Sequence, residues 1–123
     1  MLYRAVLEKE SLHLKSEMPE LLDKILSFVE DHLSEEITLD NTAKRFFVSR
    51  STISNIFRKE INISFYRYVT QRRLVAAKNF ILEGFPMDSI AEKVGFSDYS
   101  SFYRAFKNEY GISPRQFKSQ QCI

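Results

Sequence analysis

The sequence predicts an all-α protein of seven helices, arranged as two helix-turn-helix subdomains joined by a long helix. Three observations carry this. Glycine and proline are scarce, three of each in 123 residues, and strand-like runs of Val, Ile and Thr are scarce too. Apolar residues recur at helical spacing in seven segments separated by capping residues. One stretch of the chain, around Phe57, recurs around Phe106.

Residues 1–18 scatter Leu2, Val6, Leu12 and Leu14 among charges, the pattern of an N-terminal extension or a linker from an upstream domain. Their stray helical spacing favours a piece of a longer protein. A folded domain is expected over 19–120. Pro19 and Glu20 open the first helix, since proline is tolerated at the first helical position and an acid suits a helix N-terminus. Leu21, Leu22, Ile25, Phe28, Val29 and Leu33 then give one apolar face ending near Ser34. Thr38 caps a helix over 39–46 with Leu39, Thr42, Ala43 and Phe46. Phe47-Val48-Ser49 interrupts the pattern, and Ser49 caps the next helix, which turns Ile53, Ile56, Phe57 and Ile61 inward. Asn62 suits a left-handed helix end. The first helix-turn-helix thus covers about 39–61.

Ser64 caps a linker helix over about 65–83, roughly 28 Å long at 1.5 Å per residue. It stops at Gly84. After Pro86 a short helix over about 87–94 carries Ile90, Ala91 and Val94; Gly95-Phe96-Ser97 forms a turn. A helix over 98–110 puts Phe102, Ala105, Phe106 and Tyr110 inward and ends at Gly111. The second helix-turn-helix thus covers about 87–110. Ser113-Pro114 starts a last helix to about 120. By spacing, Phe28, Phe46, Phe57, Phe80, Phe102, Phe106 and Phe117 are core residues and not base-stacking aromatics.

The repeat gives these helices a meaning. The segment Phe57 to Tyr68 aligns with Phe106 to Phe117 at an offset of 49, matching Phe, Glu, Ile and Ser. Upstream, Ala43, Phe47, Val48 and Ser49 align with Ala91, Gly95, Phe96 and Ser97 at an offset of 48. Each copy reads helix, short turn, helix. A small Ala allows a close crossing, an apolar residue plugs the corner and a Ser caps the second helix. One such match is weak evidence, because helical hairpins are common; two in register, joined by a long helix, are much stronger. A linker of roughly 28 Å would hold two recognition helices about one turn of B-DNA apart, which is about 34 Å.

Charge agrees with that reading. Through Asn41 there are four basic and ten acidic residues, a net −6; from Thr42 onward fourteen basic and six acidic residues give +8. The chain has an acidic front and a basic, polyanion-facing body. Other classes are poorly supplied. His13 and His32 are the only histidines and have no matching acid or nucleophile pattern, so no catalytic residues are expected. The lone Cys122 excludes an internal disulfide and a multi-cysteine zinc site. Neither metal ligands nor a cofactor is expected. No apolar run of about 18 residues is present, so no membrane span is expected, nor is there a signal-peptide pattern; a cytoplasmic protein is the expectation.

The stretch Ile90-Ala91-Glu92-Lys93-Val94-Gly95-Phe96-Ser97-Asp98-Tyr99-Ser100-Ser101-Phe102-Tyr103-Arg104-Ala105-Phe106-Lys107, followed by Gly111-Ile112-Ser113-Pro114, resembles the signature of AraC/XylS-type transcription regulators. The resemblance covers roughly residues 20–119. It implies a DNA-binding domain of seven helices that regulates transcription by sequence-specific binding of double-stranded DNA, with two recognition helices in adjacent major grooves of a promoter operator site. Two positions depart from the pattern. Phe47 stands where a turn glycine often sits, and Asn62-Ile63-Ser64-Phe65 replaces a Gly-x-Ser-Pro ending.

On the first recognition helix the exposed positions are Arg50, Ser51, Thr52, Ser54, Asn55 and Arg58, and the resemblance places Ser51, Ser54 and Asn55 at base-reading positions. Asn55 suits a bidentate pair with adenine. On the second, Tyr99, Ser100, Tyr103 and Arg104 face the groove by resemblance, and Arg104 suits guanine O6 and N7. Asp98 is expected to cap this helix, since a carboxylate near phosphates is repelled. Base contacts are therefore expected from Arg50, Ser51, Ser54, Asn55, Tyr99, Ser100, Tyr103 and Arg104. Phosphate contacts are expected from Arg58, Lys59, Lys107, Asn108 and Arg115. Arg72, Arg73 and Lys78 are read as solvated residues with a weaker claim to phosphate. The resemblance also implies contact with RNA polymerase, and homodimerisation through a domain outside this chain. The competing reading is a helical protein-interaction module that contacts the transcription machinery without reading DNA.

Overall fold

The computed structural model describes residues 20–121. The expected extension over 1–18, the helix-opening Pro19 and Cys122 lie outside them. Seven helices and no strands occur among the described residues: α1 (20–31), α2 (Leu39–Phe46), α3 (Arg50–Ile56, continuing as a π turn through Phe57–Ile61), α4 (Phe65–Leu82), α5 (Met87–Lys93), α6 (Tyr99–Tyr110) and α7 (Pro114–Gln121). The all-α class and the seven-helix, two-subdomain arrangement are as the sequence predicts.

The caps explain why each helix begins where it does. Thr38 and Asn41 form a reciprocal capping box at α2, with the Asn41 amide donating to Thr38 Oγ1 and the Thr38 amide to Asn41 Oδ1, both at 3.0 Å. Ser49 accepts from the Thr52 amide at 3.0 Å, and Ser64 from the Arg67 amide at 3.1 Å. At α7 the amides of Ser113 and Gln116 bond each other's side chains at 2.8 and 3.1 Å. Pro86 precedes α5 without a side-chain cap.

The two helix-turn-helix corners close with the same hydrogen bonds. In the first, Val48 N–H donates to Ala43 C=O at 3.1 Å and Phe47 N–H to Lys44 C=O at 3.4 Å; in the second, Phe96 N–H donates to Ala91 C=O at 2.9 Å and Gly95 N–H to Glu92 C=O at 3.1 Å. This pair of bonds needs a left-handed residue at the corner. Gly95 supplies it at φ 98°, and Phe47, a residue 94% exposed, supplies it at φ 56°.

Two cores result. Ile25, Val29, Ala43, Ile53, Phe57, Phe65 and Val69 build the first, and Leu74, Ala77, Ile81, Ile90, Val94, Phe102 and Phe106 build the second. Helix α4 feeds both, its first half entering the first core and its second half the other. Of the seven phenylalanines expected inside, Phe57, Phe102 and Phe106 are fully buried and the other four pack partly buried against the cores. Helix α1 ends at residue 31, earlier than Ser34, because residues 32–34 turn away toward α2.

The long helix is also tied down by its charges. Arg72 pairs with Glu30 of α1, which raises the Arg72 pKa. Arg73 donates from Nε to the Leu33 carbonyl at 3.1 Å and from Nη2 to the Glu35 carbonyl at 2.8 Å. The Lys78 ammonium lies 3.6 Å from the Tyr110 ring centroid. All three, read from sequence as solvated with a weaker claim to phosphate, thus have partners within the fold.

Candidate nucleic-acid interface

Each second helix of a pair has one buried side and one polar side. On α3, Ile53 and Phe57 anchor the helix in the first core, and Ile56 is buried as well. That orientation leaves Arg50, Ser51, Asn55, Arg58 and Lys59 exposed, with Thr52 and Ser54 half-buried. The Thr52 hydroxyl is engaged with Ser49 Oγ at 2.8 Å. Ser54 shares a cleft with Leu39, Arg58 and the start of α4.

Arg50 meets Asp40 of α2, Nε to Oδ1 3.3 Å, with both side chains more than half exposed. The sequence reading missed this pair, since no local rule links a residue of one helix to one ten positions on in the next. It steadies the guanidinium at the first turn of α3. An exposed pair of this kind contributes little stability, about 0–1 kcal/mol, so it can open for another anion.

On α6, Phe102 and Phe106 are buried, while Ser100, Arg104, Lys107 and Asn108 are exposed. Tyr99 and Tyr103 are half-buried. Tyr99 packs edge-on to Phe102 with centroids 5.9 Å apart, and its ring lies 6.3 Å from that of Tyr103. The Lys107 ammonium lies 5.9 Å from the Tyr103 centroid. Arg115, in the first turn of α7, is exposed.

Asp98 caps α6, accepting from the Ser101 amide at 2.7 Å, so the cap of the second copy is not the Ser97 that aligns with Ser49 but the next residue, displaced by the one-residue insertion of this copy. The Ser101 backbone and side-chain hydrogen bonds hold its pKa below the ordinary aspartate value, with a smaller contribution from the Arg104 charge. Burial lowers the Arg73 pKa, yet a guanidinium stays charged in a protein. Apart from Arg115 on α7, the candidate residues therefore lie on α3, with its π turn, and on α6, one such helix per helix-turn-helix unit. Among the described residues there is no cluster of metal-ligating side chains, and no helix is long and apolar enough to cross a membrane.

A family model described as a helix-turn-helix domain matches residues 42–120, and the solved structure of an AraC-type regulator from Chromobacterium violaceum matches with a TM-score of 0.79 over 87% of this chain and 96% of that one, at 22% identity. The chain belongs to the AraC-type helix-turn-helix family.

AraC-type domains are the DNA-binding parts of transcription regulators and not enzymes. Among curated relatives, the HTH-type transcriptional regulator YtdP of Bacillus subtilis is 30% identical over 93% of this chain, which spans 15% of that protein. The HTH-type transcriptional activator RhaS of Escherichia coli is 29% identical over 79% of this chain, spanning 35% of its length. The chain therefore spans well under half of either relative. The C-terminal domain of AraT, a response regulator from Geobacillus stearothermophilus, has a TM-score of 0.80 at 30% identity, covering 84% of this chain and 87% of that one. The DNA-binding domain of AdpA, solved with a target DNA, shares the AraC-type fold, with a TM-score of 0.76 at 21% identity over 80% of this chain and 90% of its own.

Proposed function

We propose that this AraC-type domain reads one stretch of duplex DNA with two unlike helices, α3 and α6 entering adjacent major grooves of a promoter operator. The observation that carries the reading is the repetition of one corner geometry, Ala43 to Val48 and Ala91 to Phe96, each followed by a capped helix with a buried inner face and a polar outer face. Helix α4, about 27 Å long at 1.5 Å per residue, is of the right order to span one turn of the duplex.

In this reading Arg50, Ser51, Ser54 and Asn55 meet base edges in one groove, and Tyr99, Ser100, Tyr103 and Arg104 do so in the next. Arg104 pairs with a guanine and Asn55 with an adenine. The serines of α3 are short and undiscriminating, so its readout leans on water. Arg58, Lys59, Lys107, Asn108 and Arg115 hold the phosphates and set register without reading sequence. The protein acts in the cytoplasm as a transcription activator, as the name of its RhaS relatives suggests. It contacts RNA polymerase as well as DNA, and dimerises through a domain outside this chain.

The test is a selection of genomic DNA fragments by the purified chain, Arg104→Ala and Asn55→Ala. The expected result is an asymmetric site with two short blocks about one helical turn apart, each variant losing one block. Weak binding without a site, insensitive to both substitutions, would overturn the reading.

A further inference from the structure

We infer that Arg73 is a positioning residue that locks the two reading units in one relative orientation and so fixes the distance between the DNA blocks they can engage. This rests on the two-reader function proposed above.

Three parts of the molecule meet at this side chain. Arg73 stands on α4 between Val69, which packs into the first core, and Leu74, which packs into the second. Its guanidinium donates to the Leu33 and Glu35 carbonyls, both in the α1–α2 connection of the first unit. Gly95, the corner residue of the second unit, sits directly against this bond. A Cβ built on Gly95 would overlap the Leu33 carbonyl oxygen and lie 2.7 Å from Arg73 Nε. Gly95 therefore has two reasons to be glycine: its φ of 98° and the approach of another unit's backbone.

Neighbouring ties end on side chains, among them that of Arg72 on Glu30 of α1. Glu109 of α6 accepts from Gln71 at 3.2 Å and faces Arg67 at 3.8 Å, where the Arg67 side chain is largely exposed. The Arg73 bonds instead end on backbone carbonyls, which cannot swing away as a carboxylate side chain can. The half-buried guanidinium holds both acceptors at once, the Leu33 carbonyl in a part-buried position and the Glu35 carbonyl in an exposed one, so both bonds must break together before it leaves. The clamp thus opposes pivoting of the second unit about the middle of α4.

Two measurements test this on Arg73→Met, which keeps an unbranched stem without donors, on Arg73→Lys and on Gly95→Ala. The first needs no DNA. With Cys122→Ser, spin labels at Lys44→Cys on α2 and Lys118→Cys on α7 report the distance between units by double electron–electron resonance. A narrow distribution is expected for the parent, a broad one for Arg73→Met, an intermediate one for Arg73→Lys and a displaced one for Gly95→Ala. The second measures affinity for the selected site with one base pair added or removed between its blocks, a change of about 3.4 Å and about 34°. The parent should lose about tenfold or more, while Arg73→Met should show a flattened profile. Unchanged distance distributions, or a loss of affinity equal at all spacings, would overturn the inference. Should the parent select no two-block site, the two-reader function fails, and the spin-label distances alone decide whether the clamp exists.

Discussion

The Asp98 carboxylate accepts the Ser101 backbone amide at 2.7 Å and so closes the first turn of α6. Hydrogen bonds from Ser101 favour the charged carboxylate, so its folded pKa lies below the ordinary 3.8. A depressed acid contributes stability above its unfolded pKa and loses it as pH falls through the folded value. Asp98→Asn keeps an acceptor at the cap but does not titrate. Thermal melts between about pH 5 and about pH 2 should therefore show a shallower acid loss for Asp98→Asn than for the parent. Parallel curves would mean that the cap contributes no linkage.

Phe47 holds a left-handed backbone with almost nothing around its ring. Such a conformation costs a non-glycine residue about 1–2 kcal/mol, and glycine carries no such penalty. Phe47→Gly is expected to raise stability by about 1 kcal/mol, read as a higher urea midpoint with an unchanged slope. Phe47→Ala, which keeps the strain, should gain little. A fall in the midpoint for the glycine variant would show that the exposed ring makes stabilising contacts after all.

The two cores should answer separately to damage. Phe57 and Phe102 are each fully buried, one per core. Shrinking either to Leu is expected to cost about 1–2 kcal/mol. Hydrogen exchange should then accelerate first in α2 and α3 for Phe57→Leu, and in α5 and α6 for Phe102→Leu. Uniform acceleration across all helices in both variants would show that the cores open as one unit.

Base readers and phosphate holders differ in salt dependence. Lys107→Ala should weaken binding to all sequences alike and reduce the slope of log affinity against log salt by about 1. Asn55→Ala should leave the slope unchanged and lose about 1–3 kcal/mol of preference at one base position. Equal slopes for Lys107→Ala and the parent would remove Lys107 from the phosphate set.

The helix borders were legible because their signals are local. Ser49, Ser64 and Asp98 cap within three residues, and Asn62 and Gly111 take the left-handed endings their types favour. The π turn over Phe57–Ile61, where Asn62 N–H reaches the Phe57 carbonyl at 2.8 Å, has no such signal. Phe57, whose carbonyl takes that bond, packs against Phe65 and Tyr68 at centroid distances of 5.3 and 5.4 Å, contacts made only in the folded chain. The outward faces of α3 and α6 follow from helical period once their apolar sides are known. The partners of Arg72 and Arg73 were not legible. They lie about forty residues earlier in the chain, and two of them are backbone carbonyls that any residue type would present.

A tandem repeat of two unlike units gives binding a direction. A two-fold dimer sees the same letters whichever way round it lands, and so cannot tell upstream from downstream. Here the leading unit offers Ser51, Ser54 and Asn55, and the trailing unit offers Tyr99, Ser100, Tyr103 and Arg104. Reversing the site would hand each unit the other's letters. On the proposed reading the domain therefore sits on a promoter like an arrow, with the acidic α1 always delivered to the same flank.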